Sequence, residues 1–154
     1  MNVTRRTTIL SAAAAALACA TSARAETAGK LAMKVYKDPE CGCCGAWVDH
    51  LKAAGFAVTV EPRADLSQLK KQLGVPDDLT SCHTGVIDGY AIEGHVPAAD
   101  IKRFVAAHPK AKGLAVPGMP ANSPGMEMEG EPNERYTVWQ FTADGKRSAF
   151  AVHG

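Results

Sequence analysis

Asp88-Gly89 limits the fold more than any other feature of the sequence. The pair is flanked by Thr84 to Ile87 and Tyr90 to Glu93, two short runs of β character. An Asp-Gly step tolerates positive φ at both positions, so it closes a two-residue turn between antiparallel strands. The remaining elements must be built around that hairpin. Upstream, Leu31 to Lys37 has the β-branched and aromatic character of a strand and stops at Asp38-Pro39. A helix is expected from about Gly42 to Ala54, ended by Gly55. It would put Cys44, Val48 and Leu51 on one face and Cys43, Trp47 and His50 on another. Phe56 to Val60 reads as a second strand closed by Pro62. Asp65 can cap a short helix that carries Leu66, Leu69 and Leu73 at helical spacing and ends at Gly74. Beyond the hairpin, Pro97 sits where a helix would begin, and Ile101, Phe104 and Val105 give it an apolar stripe up to Pro109.

The resulting order is strand, helix, strand, helix, strand, strand, helix, which predicts an α/β fold with a mixed sheet covered by helices. This is the element order of a thioredoxin-like domain. From Lys110 to Pro132 the chain turns to Gly, Pro and Met without periodicity and reads as a loop. Tyr136 to Thr142 and Arg147 to Val152, joined through Asp144-Gly145, predict a terminal hairpin. The expected division is a leader over 1–25, a thioredoxin-like domain over 26–109, and a Met/Pro/Gly-rich loop with a C-terminal β-hairpin extension over 110–154.

The leader is expected to be a cleaved signal peptide. Arg5-Arg6 forms a basic head, Ile9 to Ala18 is apolar, and Ala23-Arg24-Ala25 offers a cleavage site of small residues. The apolar run falls short of the roughly 20 residues that span a bilayer. Thr4-Arg5-Arg6 also hints at the twin-arginine route, although polar Thr8 stands where that pattern is apolar. Cys19 raises a lipoprotein reading that Ala16-Leu17-Ala18 fits poorly. Cleavage after Ala25 would lower the basic residues from 17 to 14 against 16 acidic ones. No basic stripe for nucleic acid is present, and no later segment is long enough for a membrane span. The expectation is a periplasmic, water-soluble protein.

Cys41, Cys43 and Cys44 place three thiols within four residues, and Cys82 follows. Three readings compete. A disulfide framework suits an oxidising compartment, but three neighbouring thiols cannot all pair locally, and a bridge wants Cα atoms roughly 4.4 to 6.8 Å apart. A dithiol redox pair would use Cys41 and Cys44, which have C-x-x-C spacing at the first turn of a helix, where backbone N–H groups favour a thiolate. The inserted Cys43 exceeds what a dithiol switch needs and suggests a soft metal ion. In a thioredoxin-like topology the loop before the third strand faces this turn. Ser81-Cys82-His83-Thr84 occupies that loop without the usual proline. That would bring Cys82 across to the other thiols, with His83 beside it.

Tyr36-Lys-Asp-Pro-Glu-Cys-Gly-Cys-Cys-Gly45, Ser81-Cys-His-Thr-Gly85, Gly94-His-Val-Pro97 and Gly113-Leu-Ala-Val-Pro-Gly-Met119 together resemble the CopG-type family. These are small exported proteins of bacterial copper-resistance clusters marked by a C-x-C-C motif. The resemblance covers about residues 33 to 129. It implies a thioredoxin-like fold with a C-terminal extension, copper binding at the C-x-C-C turn, and a redox role.

His83 gains as a candidate ligand from its place beside Cys82, and His95 from the family pattern. His50 lies seven residues from Cys43, a rise of roughly 10 Å along a helix, so the two cannot share an ion. His108 and His153 read as surface residues. Met119, Met126 and Met128 offer soft thioethers that suit Cu(I), or adaptable packing for the loop. Trp47 and Trp139 read as core or site-shielding aromatics. The metal-ligand set is therefore Cys41, Cys43, Cys44, Cys82, His83, His95, Met119, Met126 and Met128. The expected cargo is copper as Cu(I), with zinc second. A copper efflux or chaperone protein is the expected partner. A thiol–disulfide oxidoreductase using Cys41 and Cys44, and an iron–sulfur carrier, are the alternatives.

Overall fold

A computed structural model describes residues 30–130 and 132–154. The leader and its cleavage site lie outside the described residues.

The first half follows the expected order. Strand β1 (Ala32–Lys37) leads into helix α1 (Gly42–Ala53), strand β2 (Ala57–Pro62) and helix α2 (Ser67–Leu73). A 3-10 turn at Asp77–Leu79 precedes β3 (His83–Ile87) and β4 (Tyr90–Gly94), and helix α3 spans Ala98–Ala107. Asp88 and Gly89 adopt φ of 48° and 80°, the left-handed pair that a two-residue hairpin demands. Gly74 caps α2 at φ 75°, and Pro97 stands at the N-cap of α3. Asp65 does not occupy the N-cap of α2, which is Leu66, but its Oδ1 accepts the Ser67 N–H at 2.8 Å.

Three further strands complete the sheet: β5 (Gly113–Val116), β6 (Tyr136–Phe141) and β7 (Arg147–His153). The terminal hairpin is as expected. Strand β5 corrects the reading of 110–132 as loop throughout. All four of its residues are buried, so it shows no in–out alternation and no period to detect. It bridges the two halves, pairing parallel with β4 and antiparallel with β6. The sheet runs β2-β1-β3-β4-β5-β6-β7. Parallel pairs β1/β2 and β4/β5 are spanned by α1 and α3, whereas β3/β4 is the tight hairpin. The fold is thus a mixed α/β sheet with helices packed on it and a C-terminal hairpin continuing the same sheet.

The main core joins Val35, Trp47, Leu51, Ile92, Ile101, Phe104 and Leu114, all 0% exposed. Burying side chains of this size contributes roughly 1.5–3 kcal/mol each. The consequence for function is positional. Core packing fixes α1 against the sheet, so the start of α1 and the start of β3 meet at one end of β1. The β1/β3 register sets Lys37 opposite His83. Among the described residues, no helix is long and apolar enough to cross a membrane.

Candidate metal centre

Beyond β1 the chain turns sharply. Glu40 N–H donates to Asp38 Oδ1 at 2.8 Å and Cys41 N–H to Asp38 O at 3.1 Å, an Asx-type turn that launches α1. Cys41 is the N-cap, in extended conformation with no side-chain cap bond, and the first turn holds no acidic residue. Its free N–H groups and helix dipole therefore act on the thiols that occupy it. Cys41 and Cys44 are joined by a disulfide, and Cys43 and Cys82 are free thiols. Cys44 is fully buried, the most enclosed of the three motif sulfurs.

Cys82 arrives from the other side. Its Sγ lies 3.3 Å from that of Cys44, and the Sγ atoms of Cys41 and Cys43 are 3.5 Å apart. All four sulfurs fall within 4.8 Å of one another. The expectation that Cys82 is brought across to the turn is met by direct contact between the two segments. Two groups hold this approach in place. Glu93 accepts the Ser81 N–H at 2.6 Å, the Ser81 hydroxyl at 3.1 Å and the Thr84 hydroxyl at 2.7 Å. Lys70, itself buried, pairs with Glu93 and donates to Thr84 Oγ1 at 2.9 Å. Burial pushes the Glu93 carboxyl upward, and Lys70 opposes that shift. Burial also raises the Cys82 thiol, with Cys43 adding to it and Lys70 working against it.

The histidines present lone pairs inward. His83 Nε2 donates to the Gly94 carbonyl at 3.0 Å, so its Nδ1 is the unprotonated atom and faces Cys44 Sγ at 3.3 Å and Cys82 Sγ at 3.8 Å. Burial, then neighbouring His95, pushes the His83 pKa down to about 3, so the ring is neutral. His95 Nδ1 donates to the Pro124 carbonyl at 2.8 Å. Its Nε2 therefore carries a lone pair, and it is buried with no hydrogen-bond partner among the described residues. Such an orphaned atom is costly in a folded interior unless something binds it. Cys82, His83 and His95 form a second donor group within 4.8 Å, sharing Cys82 with the first. Trp47 shields them, its ring 4.4 Å from that of His83 and its Nε1 donating to Val96 O at 2.9 Å.

Met119 is brought to the sulfurs, its Sδ 3.8 Å from Cys43 Sγ and 3.9 Å from Cys82 Sγ. Met126 and Met128 lie farther along the same loop and make no such contact among the described residues. The loop is seated by Gly125, where a Cβ would stand 2.6 Å from the Trp47 backbone nitrogen. His50 points elsewhere and accepts the Ala98 N–H at 3.1 Å. His108 is exposed, whereas His153 pairs with buried Asp100 at 2.6 Å and is less of a free surface residue than its position suggests. Reading the sequence missed Lys70 and Glu93. A lysine on a short helix and a glutamate in a strand ordinarily mean solvated faces, and neither carries a signal of burial.

A cavity of about 460 Å³ opens beside Cys82, lined among others by Leu66, Lys70, Lys71, Asp77 and Ser81.

A family model described as a protein of unknown function, DUF411, matches residues 79–126. No curated protein matches the chain. Two solved structures resemble it closely. One, a copper resistance protein CopG in a second form, is 49% identical with a TM-score of 0.76, covering 81% of this chain and 99% of its own. The other, the first form of CopG, is 50% identical with a TM-score of 0.76, covering 80% of this chain and 98% of its own. Identity at this level over nearly the whole of both relatives, on a fold that gathers the C-x-C-C sulfurs and Cys82 at one point, places the chain in the family of the copper resistance protein CopG.

Proposed function

We propose that this protein binds copper as Cu(I) on Cys41, Cys43, Cys44 and Cys82 and limits copper toxicity by sequestering the ion, handing it over or cycling it between Cu(I) and Cu(II). The observation that carries this is the meeting of four sulfurs within 4.8 Å of one another, drawn from two distant segments. Clustered thiolates suit the soft Cu(I) ion better than zinc, and a thioether at Met119 adds a donor that cannot be lost to a disulfide. The buried lone pair of His95 Nε2 and the inward Nδ1 of His83 extend the donor set. Cys41 and Cys44 must first be reduced by two equivalents of an external thiol, which leaves as its own disulfide, before all four sulfurs can serve as ligands. The acting protein is the exported chain lacking 1–25, reached by a general or twin-arginine route, with 26–109 and 110–154 as the proposed domain and extension. A copper efflux or chaperone protein is the proposed exchange partner.

One observation favours the redox alternative: the Cys41–Cys44 disulfide is the pairing that a C-x-x-C oxidoreductase would use. Cys43→Ser separates the two readings. A dithiol enzyme keeps its insulin-reducing activity without Cys43, whereas a multi-sulfur copper site loses Cu(I) stoichiometry or affinity in an anaerobic competition titration. Full Cu(I) binding by Cys43→Ser, together with strong reductase activity, would falsify the copper-binding reading.

A further inference from the structure

We infer that Cys82 is a built-in exchange thiol for the Cys41–Cys44 disulfide, moving the bridge to Cys44–Cys82 and so opening the site to reduction from the cavity side. The disulfide and the free thiol are already in contact, since Cys82 Sγ lies 3.3 Å from Cys44 Sγ while Cys44 is bonded to Cys41. Thiol–disulfide exchange needs a sulfur placed against one sulfur of a bridge and a leaving sulfur that can depart as an anion. Cys41 meets the second requirement: it is the N-cap of α1, where unpaired N–H groups of the first turn accept developing negative charge. Cys43 is less well suited as the attacker. It precedes Cys44 directly, so a bridge between them would close a strained ring of neighbours.

The step balances without an oxidant. The Cys82 thiol loses its proton to solvent, and its sulfur attacks Cys44 Sγ. The Cys44–Cys82 bond forms, the Cys41–Cys44 bond breaks, and Cys41 leaves as a thiolate that takes up a proton. One disulfide and two free thiols are present before and after.

The move changes which sulfur an outside reductant meets. Cys44 is 0% exposed and gives no approach, and Cys41, although half-buried like Cys82, does not line the cavity. Cys82 is half-buried and borders the 460 Å³ cavity together with Leu66, Lys70 and Ser81. A small thiol entering there attacks Cys82 Sγ and forms a mixed disulfide while Cys44 leaves as a thiolate. A second molecule of the same thiol then attacks the mixed disulfide, giving the free Cys82 thiol and the oxidised small molecule. The sum is one protein disulfide and two small thiols converted to two protein thiols and one small disulfide. This relay does not rest on the copper reading, because every step runs in metal-free protein with a chelator present.

Trypsin makes the rearrangement visible. Cys41, Cys43 and Cys44 share the 38–52 peptide and Cys82 lies in the 72–102 peptide, so a Cys44–Cys82 bridge links two peptides that the Cys41–Cys44 bridge leaves separate. Cys41→Ser protein, mildly oxidised, acid-quenched and alkylated, is expected to yield the linked pair, and the link is expected to persist in Cys41→Ser/Cys43→Ser. Reduced glutathione serves as the small-thiol probe. Oxidised Cys82→Ser protein is expected to be reduced at least about tenfold more slowly than the unmodified chain. Absence of the linked pair in Cys41→Ser, its loss on removing Cys43, or an unchanged glutathione rate in Cys82→Ser would each overturn the relay.

Discussion

Glu93 accepts the backbone N–H of Ser81 at 2.6 Å, and this one bond ties the residue before Cys82 to a carboxylate buried at 0% exposure. The approach of Cys82 to the motif thus depends on a charge that must itself be compensated. Lys70 provides that compensation through its ion pair with Glu93. Breaking a buried pair from one side leaves an uncompensated charge, whereas replacing both partners by apolar groups is often neutral.

Lys70→Met is therefore expected to lower unfolding stability by about 3–5 kcal/mol in urea titration. Lys70→Met/Glu93→Leu is expected to recover much of that loss. Its Cu(I) affinity should stay low, because the Ser81 N–H has lost its acceptor and Cys82 its fixed approach. Recovery of both stability and affinity in the double variant would show that Glu93 does not position Cys82.

His50 carries a pH dependence. Its Nε2 accepts the Ala98 N–H at the start of α3, which requires the neutral ring, and burial holds its pKa below the ordinary histidine value while Glu127 opposes the shift. Above that ordinary value, near 6.5, neither folded nor unfolded ring is protonated, and the bond stabilises fully. As pH falls below 6.5 the unfolded ring takes up a proton that the folded ring resists, so stability declines toward acid. His50→Gln keeps an acceptor, is expected to stay within about 1 kcal/mol at pH 7, and should show a shallower loss of the urea midpoint between pH 7 and 5. Identical pH slopes for the two proteins would contradict this account.

His95→Asn tests the orphaned nitrogen. Asparagine can still donate to the Pro124 carbonyl but offers no lone pair where His95 Nε2 lies. The thermal midpoint of the metal-free protein is expected to shift by only a few degrees, consistent with a change of about 1 kcal/mol. The additional rise in midpoint on Cu(I) loading should shrink measurably. A loading rise equal to that of the unmodified protein would remove His95 from the ligand set.

Much of this architecture is legible in the sequence because local chemistry and global fold agree. Asp88-Gly89 fixes the central hairpin through its backbone preference, and the leucine spacing of α2 with Gly74 as its stop fixes that helix. The C-x-C-C thiols mark a site of thiol or metal chemistry by spacing alone, without choosing between the two. Cys82 does not, since 38 residues separate it from Cys44, and the β1/β3 register together with the Glu93–Ser81 bond makes them neighbours. Strand β5 leaves no pattern because both its faces are covered. Lys70, Glu93 and the packing of Gly125 on Trp47 are products of tertiary contact between segments that each look ordinary.

The most direct test of the central claim is elemental analysis of the native protein purified without oxygen. Copper bound in clear excess over zinc and iron, and lost when Cys43 and Cys82 are replaced by serine, is the result predicted. Zinc as the dominant metal, or iron accompanied by inorganic sulfide, would contradict it.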